Sequence, residues 1–547
     1  MNYDSVMSPL PGCVRLVRAA ALLCVAAAIG AAPARAQTIS FGKSTLQGTA
    51  LTSPTALQFG PDGRLYVTQQ NGTILIYGVT RNGPNSYVVN STETITSVRD
   101  IPNRNDTTGA INASVTGREV TGILVAGTAA NPVIYVASSD PRIGAGGSGT
   151  DTNLDTNSGI LSRLTWNGTT WVKLDLVRGL PRSEENHASN GLALINAGST
   201  LLIAQGGHTN MGAPSNNFAL LPEYALSAAI LSVNLTAIGS TTYDLPTLDD
   251  PAASRNTGTP GVDTNDPFGG DDGANQAKLV AGGPVQVYSP GYRNPYDLVM
   301  TRAGRLYTID NGPNAGWGDV PQGEGGTNCT NATREPGLTQ FDNLHYVTGA
   351  GYYAGHPNPT RANTANTFNG QSPVPSSNSV ECDYRAPGAG DGALATFEFS
   401  TNGMVEYSGT NFNGAMDGNL LAASFDNSIW RIVLSANGTQ ATSVTQVFSS
   451  VGNTPLDVWA QGNAGPFPGS IWVADYGING IVVYEPADFV SCTGADSASL
   501  DEDGDGFNNA DEIDNGTNPC SAGDVPPDWD HDHLSNLNDP DDDNDGL

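Results

Sequence analysis

The sequence predicts an all-β chain, a six-bladed β-propeller with large inserted loops and a small, loop-built acidic tail behind it. Two observations lead there. The 547 residues include 66 glycines and 35 prolines, and only 14% of them are charged, which disfavours helical bundles and coiled coils. A phrase of two short apolar strands joined by a tight turn also recurs. Its clearest copy is Ala56-Leu57-Gln58-Phe59-Gly60-Pro61-Asp62-Gly63-Arg64-Leu65-Tyr66-Val67, where proline presets φ and glycine takes the positive φ that closes the hairpin. Further copies start near Ile123, Leu192, Asp297, Met404 and Asp457 and end at Tyr135-Val136, Leu202-Ile203, Leu306-Tyr307, Leu420-Leu421 and Trp472-Val473. Six hairpins spaced roughly 50 to 110 residues apart read as propeller blades with inserted loops. The competing arrangements are a pair of β-sandwiches or a β-helix.

Three segments follow: residues 1–36, 37–489 and 490–547. In the first, Arg15 and Arg18 precede an apolar run from Ala19 to about Ile29, and Ala34-Arg35-Ala36 supplies small residues for cleavage. This is the pattern of a secretory signal peptide cut near Ala36; as a membrane anchor its apolar core falls short of the ~20 residues a span needs. No later stretch is apolar enough to span, so the chain is expected to be secreted or periplasmic. The formal net charge is −31, which repels a nucleic-acid backbone and an anionic membrane surface alike. Cys13 and Cys24 leave with the signal. Cys329, Cys382, Cys492 and Cys520 remain, an even number suited to disulfides in an exported chain, and proximity favours Cys329–Cys382 and Cys492–Cys520.

The tail from Cys492 to Leu547 has 17 acidic residues and no lysine or arginine. Asp501-Glu502-Asp503-Gly504-Asp505-Gly506-Phe507-Asn508-Asn509-Ala510-Asp511-Glu512 fits the calcium-loop pattern D-x-D-x-D-G-x5-E at every position. Calcium takes six to eight oxygens. Asp501, Asp503 and Asp505 wrap one side, the Phe507 carbonyl and a water near Asn509 add ligands, and Glu512 closes the shell. A second copy uses Asp528, Asp530, Asp532, Asn536 and Asp539, with His533 where glycine is expected. A third begins at Asp541, Asp543 and Asp545 and stops at Leu547. A solvated acidic tail is the competing reading, but composition bias alone would scramble this spacing. The tandem array resembles bacterial thrombospondin type 3-like calcium repeats, which implies a calcium-stiffened spacer able to meet a cell-surface or extracellular partner. The loops Asp249–Gln276 and Asn311–Asn343, rich in Asp, Asn, Gly and Pro, read as solvated or as ordered around a cation or sugar.

Three stretches of the propeller segment carry a second resemblance: Asn186-His187-Ala188-Ser189-Asn190-Gly191-Leu192, Gly291-Tyr292-Arg293-Asn294-Pro295-Tyr296-Asp297-Leu298 and Asp310-Asn311-Gly312-Pro313-Asn314. In this order, each beside a blade strand, they resemble the soluble glucose/sorbosone dehydrogenases, six-bladed propellers using pyrroloquinoline quinone (PQQ) and calcium. The resemblance spans roughly residues 50 to 485. It implies oxidation of a sugar or polyol, with His187 as base and Arg293 stabilising the developing charge. Asn186, Asn294 and Asn311 would stand beside the quinone, and the carbonyls of Gly312 and Pro313 would bind calcium. A histidine suits proton abstraction near neutral pH, and an arginine suits charge stabilisation. The structural alternatives are a blade-end histidine satisfied by local hydrogen bonds and an arginine that pins two loops.

The departures from that pattern are as informative. The family places an acidic residue beside its base; here the strand end reads Ala204-Gln205-Gly206-Gly207-His208, and His208 is the one candidate substitute. The family meets the three carboxylates of PQQ with a late lysine and an Arg-x-Arg pair; here the stretches read Ser424-Phe425-Asp426 and Asn453-Thr454-Pro455-Leu456-Asp457-Val458. A buried trianion without cationic partners is expensive, so PQQ is a doubtful cofactor. Two functions remain: an exported sugar dehydrogenase using calcium and a quinone, or a non-catalytic carbohydrate- or protein-binding propeller on a calcium-stiffened tail.

Overall fold

The computed structural model describes residues 38–247, 267–268, 276–334, 337, 341–362, 378–489, 494–520 and 523–544. The expected signal segment and most of the insertion 249–276 lie outside the described residues. Strand β1 (Phe41–Thr45) precedes the first complete sheet, formed by β2 (Pro54–Phe59), β3 (Leu65–Gln69), β4 (Ile74–Gly83) and β5 (Ser86–Ile95). The second blade holds β6 (Leu124–Gly127), β7 (Pro132–Ser138), β8 (Gly159–Trp166) and β9 (Trp171–Leu180). The third holds β10 (Ser189–Ile195), β11 (Thr200–Gln205), β12 (Ala229–Asn234) and, after β13 (Tyr243–Asp244), β14 (Val285–Pro290). The fourth holds β15 (Pro295–Met300), β16 (Leu306–Asp310), β17 (Asp342–Val347) and β18 (Ala395–Phe397). The fifth holds β19 (Thr401–Glu406), β20 (Leu420–Ser424), β21 (Ser428–Leu434) and β22 (Ala441–Ser449), and the sixth β23 (Pro455–Ala460), β24 (Ile471–Asp475) and β25 (Gly480–Pro486).

All six predicted hairpins are the inner pairs of these blades. The sixth blade is completed by β1, antiparallel to β25 from Phe41↔Pro486 to Thr45↔Val482, so the first described strand closes the ring. Nothing in the hairpin phrase predicts this strand. Nor does it predict β13, which adds a parallel fifth strand to the second blade at Tyr243↔Val177.

Blades pack face to face on apolar side chains. Between the sixth and first, Phe59, Tyr87, Phe467 and Trp472 meet edge-on or tilted with ring centroids 5.0–5.9 Å apart, and each such buried ring contributes about 1.5–3 kcal/mol. Polar ties fix the register of neighbours around the axis. Asp457 accepts the Leu57 and Val458 N–H groups, both at 2.8 Å. Asp297 accepts those of Met404 and Leu298, both at 2.8 Å, and Gln58 pairs with both backbone groups of Val125 at 2.8 Å. At the closure, Glu485 on β25 accepts Arg81 Nε at 2.7 Å, Arg81 Nη2 at 2.9 Å and the Tyr87 hydroxyl at 2.6 Å. The expected Cys329–Cys382 disulfide is present, with a Cα–Cα distance of 5.3 Å. Cys520 is also disulfide-bonded, and its expected partner Cys492 lies outside the described residues.

Glu485→Ala leaves Tyr87 and Arg81 without their shared acceptor and is expected to cost about 3 kcal/mol in denaturant unfolding; a cost under about 0.5 kcal/mol would contradict this role. Burial pushes Asp297 and Asp310 up to about 7 and Asp342 up to about 6. The folded chain therefore holds protons that the unfolded chain has released between about pH 4 and pH 7, and these groups lose stabilisation as pH rises through that window. The buried histidines His187, His208 and His345, all held below 6.5, act oppositely below about pH 6.5, and the raised carboxylates, which also include Glu184 at about 7 and Asp391 at about 6, outweigh them. With a chelator present, Tm is expected to be higher at pH 5 than at pH 8; a Tm that rises between those values would contradict this.

Candidate functional site

Each inner strand starts at one face of the disc, and the long connections gather there. A cavity of about 630 Å3 opens at this upper face, and a second of about 410 Å3, walled by Leu57, Leu124, Leu192, Leu298 and Trp459, opens at the other. His187, before β10, and Arg293, before β15, both line the upper cavity, with Asn186, Asn294, Asn311 and Gly312. The imidazole and guanidinium thus share one mouth. Pro313 lies behind this wall, lining a void of about 20 Å3 that Arg293 and Gly312 also touch.

His187 is only 3% exposed. Its Nδ1 lies 3.0 Å from the Gly207 carbonyl oxygen. A carbonyl only accepts, so Nδ1 carries the proton and Nε2 keeps its lone pair. The ring packs against Phe218 with centroids 5.2 Å apart, and the backbone is pinned by Ser183 through His187 N–H to Oγ at 3.1 Å and Ser183 N–H to the His187 carbonyl at 3.0 Å. Burial, and then the Arg293 charge, hold its pKa well below 6.5. This is a neutral imidazole with a defined tautomer. The base is therefore oriented by a peptide carbonyl. His208 does not take that part: its ring packs tilted on Tyr224 with centroids 4.0 Å apart, and both of its nitrogens are buried without a hydrogen-bond partner among the described residues.

Arg293 is 4% exposed. Its N–H and that of Asn294 donate to the Asp310 carboxylate at 3.0 and 2.7 Å. Its Nε donates to Asn210 Oδ1 at 3.2 Å and Nη1 to the Asn311 carbonyl at 3.4 Å, while Nη2 is buried with no partner among the described residues. Asn294 bridges to Asn190 and Asn311, both at 3.0 Å. Asn311 reaches Asp342 at 2.8 Å, and Gly312 N–H donates to the same carboxylate at 2.8 Å. Asn402 Nδ2, on the next blade, is a second buried donor without a partner among the described residues. Arg293 and Asn402 both line the cavity, and a polar residue with a donor to spare suits a ligand with acceptor oxygens. Asn210 and Asn402 escaped the sequence reading because nothing but the closed ring brings them here, and Asp310, which opens the third motif stretch, was given no role for the same reason.

The charges do not suit PQQ. The lining includes Glu119, Glu185, Asp342 and Glu398 against one guanidinium, Arg293, and Arg182 offsets only Glu119, at 2.9 Å. On the fifth and sixth blades the wall is Asn402, Phe425, Thr454, Leu456 and Tyr476, with no lysine or arginine among the described residues to meet a trianion. Asp426 is turned away to Gln446 and Ser428. The residues present fit a neutral, oxygen-rich ligand.

In the tail, Asp501, Asp503 and Asp505 bring one oxygen each within 4.8 Å of the others, and so do Asp528, Asp530 and Asp532. Both loops repeat the same hydrogen bonds. Asp501 accepts Gly504 and Gly506 N–H at 2.7 and 3.2 Å, and Asp528 accepts His531 and His533 N–H at 2.8 and 3.1 Å. Asn509 Oδ1 accepts Glu502 N–H at 3.0 Å, and Asn536 Oδ1 accepts Trp529 N–H at 2.9 Å, so both asparagine side chains brace their loops. His533 takes a φ of 69°, the left-handed conformation that Gly506 has at 106°, which is how histidine replaces glycine there. Both carboxylate oxygens of Glu512 and Oδ2 of Asp505 are buried without hydrogen-bond partners, and burial with the neighbouring aspartates pushes Glu512 up to about 8. That donor set fits calcium. The Asp539 carboxylate accepts Asp541 N–H at 2.9 Å. Of the third copy, Asp541 and Asp543 are described, and Asp545 lies outside the described residues.

No protein-family profile matches the chain, and neither does any curated protein. Solved structures are similar: a glucose dehydrogenase (16% identity, TM-score 0.47, 82% of this chain and 100% of that one), the PQQ-bound form of aldose sugar dehydrogenase from Streptomyces coelicolor (16%, 0.44, 82% and 99%) and the soluble aldose sugar dehydrogenase from Escherichia coli in the apo form (14%, 0.44, 82% and 100%). At such identities the likeness speaks to the fold alone.

Proposed function

We propose that the chain is an exported sugar-dehydrogenase-type oxidoreductase that takes a neutral sugar or polyol into the upper cavity. The observation that carries this reading is the pairing on one cavity wall of a neutral His187 with Arg293, the His187 Nε2 lone pair and the Arg293 Nη2 donor both unpaired among the described residues. In this reading Nε2 accepts the proton of a substrate hydroxyl, and Arg293 Nη2 and Asn402 Nδ2 donate to substrate oxygens. Asn294 and Asn311 hold the Arg293 loop in place. The hydride from the adjacent carbon requires an acceptor of low charge, such as a neutral quinone. A second reading, a carbohydrate- or protein-binding propeller without catalysis, is favoured by the wall without cations on the fifth and sixth blades. The tail loops are proposed as calcium sites that stiffen a spacer, and exposed Trp529 and Leu537 offer contacts to an extracellular partner.

Mature protein is to be tested with calcium and PQQ, and separately with neutral quinones, across a panel of sugars with a reporter dye. The expected outcome is no PQQ absorbance retained after desalting, and dye reduction by an aldose or polyol with a neutral quinone. His187→Gln should lower kcat by about 100-fold or more with little change in sugar affinity. Calorimetric sugar binding with no turnover by any acceptor would select the second reading, and absence of binding would end both. Because His187 stays neutral below its ordinary value, the acid limb of kcat/KM should fall below pH 6.5; a limb at 6.5 or above contradicts the assigned base. For the tail, calcium calorimetry of the full chain should lose its tighter site in Asp503→Ala, and an unchanged isotherm would remove that assignment.

A further inference from the structure

Glu223 lies in Leu221-Pro222-Glu223-Tyr224, between β11 and β12 and outside every motif considered above. It is fully buried. Its Oε1 accepts from Thr209 Oγ1 at 2.6 Å and from His356 Nε2 at 2.9 Å. Its Oε2 accepts from Ser227 Oγ at 2.5 Å and from the backbone N–H of His208 at 2.9 Å. That last N–H belongs to the same peptide unit whose carbonyl, that of Gly207, accepts His187 Nδ1–H at 3.0 Å.

We infer that Glu223 is the carboxylate partner of His187, acting through the single Gly207–His208 peptide bond. A negative charge on the N–H side of an amide shifts electron density onto its carbonyl oxygen, and hydrogen bonds in such a chain strengthen one another by roughly 10–30% each. The Gly207 oxygen is thereby a stronger acceptor than an ordinary carbonyl. It fixes the Nδ1–H tautomer, which leaves Nε2 free, and it stabilises the imidazolium formed when Nε2 takes up a proton. The role rests on the proposal that His187 is the base, and in it Glu223 is a positioning residue that never touches substrate.

Three further observations support the relay. Glu223 is ionised: burial alone would raise its pKa, but the hydrogen bond and charge of His356, with help from His208 and Ser227, hold it near 2. Residue 207 must be glycine, because an added Cβ would stand 2.7 Å from Glu223 Oε1 and 3.1 Å from the Arg293 carbonyl oxygen. Gly207 N–H also donates to that Arg293 carbonyl at 2.8 Å, so one residue registers both functional side chains. The carboxylate missing from the strand-end sequence is thus supplied from a distant loop.

The full chain labelled with 13C and 15N on its six histidines provides the test. In Glu223→Gln, which keeps the shape and removes the charge, the His187 Nδ1–H proton is expected to move upfield and a second tautomer to appear. Ser227→Ala removes the donor that competes with His208 N–H for Oε2, so the same proton should move downfield. The opposite signs separate relayed charge from loosened packing. If Glu223→Gln fails to fold, the Ser227→Ala shift decides alone. Sugar oxidation in Glu223→Gln should fall about tenfold in kcat with KM unchanged, the scale of one pKa unit in a general base. His187 ring signals that match wild type in both variants would overturn the relay. Ring shifts as expected in a wild-type chain that oxidises no sugar would instead retain the relay and reject the base.

Discussion

Closure of the ring by β1 on β25 is the constraint on which the site depends. Blades touch their neighbours through flat apolar faces, and such faces alone would tolerate sliding. The closing strand, the Glu485 cluster and the axial Asp297 and Asp457 ties remove that freedom. The ends of strands far apart in sequence then fall around one mouth. His187, Arg293, Asn311 and Asn402 meet there because the blades are fixed; only Arg293 and Asn311 are even moderately close along the chain.

Charge is the second theme. The chain is strongly acidic, and the buried arginines Arg118, Arg182 and Arg361 are bonded to carbonyls, amides or carboxylates. Arg293 differs in keeping one buried donor without a partner among the described residues, and it lines a cavity that also presents carboxylates. This combination disfavours polyanions and suits hydroxyl-rich neutral molecules. The tail has the opposite character, bringing Asp501, Asp503 and Asp505, and likewise Asp528, Asp530 and Asp532, close together, where a cation would relieve their mutual repulsion.

Much of this was legible in the sequence. The six hairpins announced themselves because a propeller's inner strand pair is a local unit with its own turn chemistry, as in Pro61-Asp62-Gly63. The spacing of Asp501, Asp503, Asp505 and Glu512 pointed to the first tail loop for the same reason. What stayed hidden is non-local. β1 has no signature that says it belongs to the last blade. Glu223 reaches the His187 neighbourhood only through the path of the long connection between β11 and β12. His533 in place of glycine weakened the sequence pattern of the second tail loop, although the backbone absorbs it at positive φ with the same hydrogen bonds.

Oxidation at this site requires a neutral sugar to meet the imidazole and the guanidinium together. A crystal structure of the mature protein soaked with a reducing sugar measures this directly. The expected density places one sugar hydroxyl oxygen within hydrogen-bond reach of both His187 Nε2 and Arg293 Nη2. A well-ordered sugar bound elsewhere, with that pair left to solvent, would contradict it.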